Sequence, residues 1–424
     1  MASMGATSTS QIPDMERRHD IDALRVLAFG LLILYHTAMA YVDGWDFHLK
    51  STYTVQWLQW PMIAINRWRM PLLFLIGGMA LTLSGALDSP RRAMARRSRQ
   101  LLVPLLFGIV FIIPVQPYVQ MLDNGTLAPG FAAFLLRWWT FQPWPAGAFP
   151  GAELGFTWNH LWFLPYLWVY SILVLALSPL FLRLPRAGRV PSLCRSRIVL
   201  WLLLPIIWLA ICLSLLLPLF PTTHAWADDW YVHAESLFLF VSGVVIARQP
   251  AFWQQLVHWR RALLLCALCA MGGELGLRAL RPLLGDTAAL PSLIAALDWR
   301  SIERLLRAAY CWLALMAILA WARIWLDRPF AWLPYARAAI FPWYILHQSL
   351  TLLLLHLLRP LALGPWSESS LVLTGTIVGC FLIHDLIILR CRPLQPLMGV
   401  TRPVMPLLRR RTPALPSAGT LAAD

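Results

Sequence analysis

The chain has 424 residues, 59% of them apolar and only 13% charged, with a mean hydropathy of +0.63. A soluble domain cannot hide that much apolar surface, and the apolar stretches repeatedly reach the roughly 20 residues needed to cross a bilayer core, so the composition predicts a polytopic membrane protein. The net charge of +15 does not point to nucleic acid, because the basic residues fall in short loops between apolar stretches with no continuous basic face, as in membrane proteins whose basic loops stay cytoplasmic.

In chain order, residues 1–19 are polar and read as a disordered cytoplasmic N-terminus with no secretory signal. Residues 20–392 read as one membrane domain, an all-α bundle of about ten transmembrane helices near 22–42, 68–86, 100–121, 160–183, 198–220, 231–248, 261–282, 304–325, 338–358 and 369–389. The stretch 130–146, "GFAAFLLRWWTFQPWPA", is too short and too broken by proline to cross, and its tryptophans suit an interfacial hairpin or a re-entrant piece. Residues 393–424 read as a loose cytoplasmic tail. Arginines gather in alternate loops: Arg91, Arg92, Arg96, Arg97 and Arg99 after the second span, Arg183, Arg186 and Arg189 after the fourth. The other loops carry acids such as Asp43, Asp123, Asp228, Asp229 and Asp286. By the positive-inside rule both termini are cytoplasmic and the span count is even.

Span 1 carries the most informative polar residues. Arg25 and His36 are eleven positions apart, which on a helix brings them within about 20° of one face and separates them by about 16 Å along the axis. Asp22 joins that stripe. If Arg25 sits near the cytoplasmic boundary, His36 lies close to the midplane, where an ionisable group is expensive and marks a functional site. Asp22 and Arg25 alone read as a boundary ion pair. "NHLWFLPYLWVY" opens span 4 with Asn159, His160 and Trp162, and "FPWYILHQSL" places Tyr344, His347 and Gln348 in span 9. "NRWRMPLLFLIGG" puts Asn66, Arg67 and Arg69 before span 2, where Gly77 and Gly78 permit close helix contact. His233 and Glu235 read as polar lining, and Glu274 with Arg278 as a structural i, i+4 pair. Cys266 and Cys269 form a C-x-x-C inside an apolar helical run and read as small buried residues, not as a redox motif. No metal motif, Walker loop, G-x-G-x-x-G or nucleophile elbow is present, so no metal and no bound cofactor are expected.

With these residues in view, the chain resembles the acyltransferase-3 family of integral membrane acyltransferases. Arg25 and His36 match its Arg-x10-His signature, "RWRMPLLFLIGG" is similar to its second-span pattern, and "NHLWFL" and "WYILHQ" match its later histidine elements. Gly77 stands where the family's usual pattern has serine. The glucan-modifying branch, which succinylates periplasmic glucans, looks most similar. The resemblance implies a membrane-bound O-acyltransferase of the cell's inner (plasma) membrane. It would move an acetyl or succinyl group from cytoplasmic acyl-CoA to a hydroxyl of an extracytoplasmic glycan or glucan. By the resemblance His36 carries the chemistry, as base or acyl carrier, and Arg25 helps hold the donor. His347 joins the catalytic set, and Asp22, Tyr344, His160, Trp162 and Arg69 are expected to bind substrate, with His347 and Tyr344 expected either to stabilise the oxyanion or to bind the acceptor. The alternative is a multi-span transporter or proton-coupled exporter, since intramembrane Arg and His also build ion relays. The chain lacks the inverted repeats common in transporters.

Overall fold

The computed structural model of the protein describes residues 18–183, 194–284, 298–401 and 405–409. These residues are overwhelmingly helical, and among them the β pairing is confined to one isolated parallel bridge, Val42 with Val55. The helices are α1 (His19–Met39), α2 (Gln59–Asn66), α3 (Arg69–Leu83), α4 (Pro90–Phe107), α5 (Val115–Asp123), α6 (Phe131–Trp138), α7 (Phe163–Ala176) and α8 (Ser178–Arg183). They continue as α9 (Cys194–Ile211), α10 (Trp230–Ile246), α11 (Pro250–His258), α12 (Arg260–Leu284), α13 (Trp299–Trp325), α14 (Leu333–Leu358), α15 (Pro365–Leu382) and α16 (Leu394–Leu397).

All ten expected segments fall on helices of this set. Seven helices or helix series among the described residues are long and apolar enough to cross a membrane, or up to eight if α10 and α11, bent by 102°, form one span. The difference from ten is one of length: α3 has 15 residues, about 22 Å at the rise of an α-helix, short of a hydrocarbon core of roughly 30 Å. The stretch near 130 contributes the eight-residue α6 followed by turns. Helix α1 begins at His19, and Arg18 pairs with Asp20 at 2.7 Å, so the last two residues of the expected N-terminal tail are ordered by the bundle. Within the tail after 393, the backbone N–H groups of Leu407 and Leu408 donate to the buried Asp385. The remaining expected tail residues, 1–17, 402–404 and 410–424, and the loop residues Arg186, Arg189 and Asp286 lie outside the described residues.

Helix α1 is the hub, packing on α3, α13, α14 and α15. Its 3.6-residue period explains which face goes where. Phe29, Leu32 and, at the ends of the same stripe, Arg25 and His36 face protein, while Leu27 and Leu34 on the other side are 51% and 48% exposed. Helices α3 and α10 approach until backbones touch: a Cβ on Gly78 would sit 1.9 Å from the Phe240 carbonyl oxygen, and one on Gly243 would sit 2.0 Å from that of Leu75. Neither position admits a side chain. The expected small-residue contact at Gly78 is therefore real, and its partner is Gly243.

Two expectations are corrected. Cys266 and Cys269 are not buried but exposed, on the outward apolar face of α12 beside Leu265 and Leu268. A lipid-facing surface is as apolar as a core, so hydropathy does not separate the two. Glu274 does not pair with Arg278. Its carboxylate, fully buried, binds Arg67 at 2.6 Å, while Arg278 lies 3.7 Å from Glu303. A carboxylate inside the bundle needs a close cation more than an exposed i, i+4 neighbour can offer.

The long helix from Pro90 to Asp123 is deformed where it meets the site. Residues Gly108–Ile112 form a π-helical turn. Pro114 withholds the N–H that a regular helix would give the Val110 carbonyl. The Ile113 N–H goes to Gly108 instead of Ile109, and the Gln116 N–H goes to Ile113 instead of Ile112. Three carbonyls lose their regular donors, and three side chains replace them. Trp138 Nε1 donates to Ile109 at 3.1 Å, Trp139 Nε1 to Val110 at 3.0 Å, and Ser349 Oγ to Ile112 at 2.9 Å. This accounting fixes the segment carrying α6 against the bundle and turns Gln116 inward.

Candidate active site

Three histidines from three distant parts of the chain meet at one level: His36 near the end of α1, His160 in the 3-10 turn Asn159–Trp162 before α7, and His347 in α14. His36 Nδ1 and His347 Nε2 are 2.8 Å apart with the rings stacked, 5.1 Å between centroids. The His160 ring stands edge-on to His347 at 4.9 Å and to His36 at 6.2 Å.

The surrounding acceptors assign the protons. His347 Nδ1 faces the Trp343 and Tyr344 carbonyls at 3.0 and 2.9 Å, so it carries the hydrogen and donates. Its Nε2 is then an acceptor, and His36 Nδ1–H donates to it. His36 Nε2 is left with a free lone pair. His160 Nε2 faces the Tyr344 carbonyl at 2.9 Å and donates, leaving Nδ1 to accept from Gln116 Nε2 at 3.2 Å. The second hydrogen of that amide goes to Ser349 Oγ at 2.9 Å, and Gln116 Oε1 accepts from Asn159 Nδ2 at 2.9 Å and Gln348 Nε2 at 3.1 Å. Apart from His36 Nε2, the ring nitrogens in this layer all have compatible partners, which holds the His36 ring in one orientation and one tautomer.

His36 lines a cavity of about 30 Å³ with Leu32, Arg69, Met70, His160, Trp162 and Tyr344. Of the eight residues singled out from the sequence, five therefore share this wall: His36, His160, Trp162, Tyr344 and Arg69. His347 is fully buried behind His36. Neither His347 nor Tyr344 has a donor to offer an oxyanion, since the Tyr344 hydroxyl donates to the His160 carbonyl and both His347 nitrogens are engaged. The cation in the wall is Arg69, which stacks on the Tyr35 ring at 3.6 Å and donates to Asn66 Oδ1 at 3.2 Å.

Arg25 and Asp22 lie elsewhere, at the start of α1. They are 3.4 Å apart, and the second Asp22 oxygen lies 3.2 Å from Arg337 Nε. Between Arg25 and His36 the stripe is filled by Phe29 and Leu32, with the Phe29 ring 5.2 Å from that of Tyr344.

A larger chamber of about 150 Å³ adjoins the small cavity and shares Arg69, Met70 and Trp162 with it. Asn66, Arg67, Tyr231, Glu235, Ser236 and Arg307 contribute its polar lining, and Thr222 and His224 close it from the loop 217–229. That loop is clasped by the buried Asp229, which accepts from the backbone of Thr223 and His224 and from the Tyr166 hydroxyl at 2.8 Å. The clasp holds His224 at φ +56°, an uncommon backbone for a non-glycine residue, and stacks its ring on Trp162 at 4.0 Å. Burial pushes the His224 imidazole down to about 4, with the Asp229 carboxylate opposing and Arg69 reinforcing the shift. Gln116 and Arg307 were not singled out from the sequence. An amide between Pro114 and Pro117 and an arginine within an apolar helix were the available signals.

A family model described as an acyltransferase domain matches residues 18–385. The chain belongs to the acyltransferase-3 family. The match runs from the residue before α1 to Asp385, so it takes in all three histidines and both cavities. Membership makes the protein an acyltransferase, and its apolar helices make it a multi-pass membrane protein. No curated protein and no solved structure gives a significant match.

Proposed function

We propose that this acyltransferase carries an acetyl or succinyl group from cytoplasmic acyl-CoA to a hydroxyl of an extracytoplasmic glycan, with His36 as general base. The observation that carries the reading is the His36–His347 hydrogen bond at 2.8 Å beside a cavity. It is the arrangement of a base oriented by a second group through its far nitrogen. His36 Nε2 takes the proton of the acceptor hydroxyl as that oxygen attacks the thioester carbonyl. The C–S bond then breaks, and the imidazolium returns the proton to the departing CoA sulfur. His347 Nε2 accepts the His36 Nδ1–H throughout and keeps that ring oriented. Arg69, facing the same cavity, stabilises the oxygen anion of the tetrahedral intermediate. The same nitrogen suits the alternative in which His36 itself accepts the acyl group.

Arg25 stands at the end of α1 where the family resemblance puts the donor head, and a guanidinium suits phosphate oxygens. The pantetheine arm would pass along the Phe29–Leu32 stripe to reach His36. This reading places both termini and the arginine-rich loops in the cytoplasm of a cell with the protein in its inner membrane. Purified protein should release CoA from acetyl- or succinyl-CoA and acylate a glucan or hexoside, as read by thiol release and mass spectrometry. His36→Ala, expressed and folded normally, should abolish both. Flux of a solute without CoA release would instead indicate a transporter.

A further inference from the structure

The geometry points to the 150 Å³ chamber as the acceptor subsite, built for one uncharged sugar ring, with Glu235 and Arg307 as its specificity pair. The inference rests on the transfer reading above and adds where the acceptor sits and what it can be.

Position comes first. The chamber borders the His36 cavity, its lining includes neither Arg25 nor Asp22, and Thr222 and His224 of the loop 217–229 contribute to its wall. It joins the His36 cavity through Arg69, Met70 and Trp162. A ring held in the chamber can thus extend one hydroxyl past Arg69 towards His36. A cavity of about 150 Å³ takes up a ring the size of benzene, so a hexose ring seated there projects its outer hydroxyls through the shared opening towards the His36 cavity.

Chemistry narrows the occupant. The walls mix a carboxylate acceptor (Glu235), guanidinium donors (Arg307, Arg69), the amide of Asn66, whose oxygen already accepts from Arg69, and the hydroxyls of Tyr231 and Ser236. Arg307 has one long bond, 3.4 Å to the Tyr231 hydroxyl, and that hydroxyl donates to Glu235 Oε1 at 3.1 Å. Arg307 therefore keeps most of its donors for a ligand, and Glu235 keeps its second oxygen. Closely spaced donors and acceptors of both kinds match a polyhydroxylated molecule and leave an aliphatic chain's neighbours unsatisfied. Charge excludes an acid. The Arg67 cation is matched by Glu274 at 2.6 Å, and the Arg307 cation by Glu235 on the same wall. Arg69 is the remaining cation, and the transfer step uses it. His224 sits neutral. A sugar acid would meet the Glu235 carboxylate, and the one surplus cation, Arg69, is committed to the transfer step.

The test uses the full-length protein in detergent with neutral methyl hexosides of gluco, galacto and manno configuration and the corresponding uronosides. Calorimetric binding should favour at least one neutral hexoside over its uronoside by about tenfold, the loss expected when one charged contact turns repulsive. Glu235→Gln should raise the acceptor KM about tenfold more than the acyl-CoA KM, with Arg307→Lys as a second variant that keeps the charge and loses the planar fork. Uronosides binding as well as neutral sugars, or no hexoside binding at all, would overturn the assignment. So would a Glu235→Gln effect confined to acyl-CoA, which would give the chamber to the donor. The binding measurement does not depend on turnover. If no acyl-CoA is cleaved, the transfer reading fails while sugar binding still decides the chamber.

Discussion

The layer around His36 and the chamber beside it share a wall but are built on opposite rules. In the histidine layer Gln116 saturates four neighbours, and His160 and His347 are each bound through both nitrogens. In the chamber Arg307 makes a single long bond and Glu235 a single ordinary one. A closed network fixes a ring where a proton must move, and an open one leaves valences for a ligand to fill. Turnover should therefore depend on the closed layer, and acceptor affinity on the open chamber.

The largest expected effect is in the closed layer. His36→Ala removes the base and should lower kcat by about 10³-fold or more, at the upper part of what general-base catalysis supplies. CoA release checks it, and wild-type turnover in that variant would remove the basis of the comparison. Arg69→Gln, in the shared wall, should lower kcat by about 10²-fold, as loss of one oxyanion donor does. An effect on acceptor KM alone would move Arg69 from the chemistry to the open chamber. His347→Ala should lower kcat by about tenfold to 10²-fold with little change in either KM, because His347 is buried behind His36 and orients it without touching substrate. A dominant KM effect would contradict that role. The smallest effect concerns the chamber's loop and pH. His224 is held at about 4 by burial, against about 6.5 for a free histidine. The unfolded chain takes up this proton below pH 6.5 and the folded one does not until about 4. The stability it contributes is present above pH 6.5 and is lost as pH falls towards 4. The Tm in detergent should therefore drop over that window, and less steeply in His224→Gln. Equal slopes would show that the ring is not held neutral.

Much of this was legible in the sequence because helical spacing is arithmetic. Arg25, Phe29, Leu32 and His36 share a stripe at 3.6-residue period, and the structure turns that stripe inward while Leu27 and Leu34 face out. The late histidines, Tyr344 and Trp162 came from motifs, and they converge with His36 from positions more than 100 residues apart. What stayed hidden depends on partners. Nothing in the spacing of Glu274 and Arg278 says that Arg67 reaches the carboxylate first. Cys266 and Cys269 looked buried because lipid and protein core make the same demand on a side chain. Whether His347 and Tyr344 face an oxyanion or the acceptor depends on which neighbouring carbonyls their donors already meet, and spacing along the chain does not carry that. Gln116 escaped notice because its value lies in a helix whose hydrogen bonds have been shifted out of register.

That shifted helix has a mechanical consequence. Between Ile109 and Gln116 the chain spans seven steps, yet it anchors the indoles of Trp138 and Trp139 at one end and the amide that holds His160 at the other. Pro114 cannot supply a replacement N–H, so the stretch cannot relax into an ordinary coil of helix when either anchor is pulled. Loss of the Trp138 indole would therefore leave the buried Ile109 carbonyl unpaired in the same segment that carries Gln116.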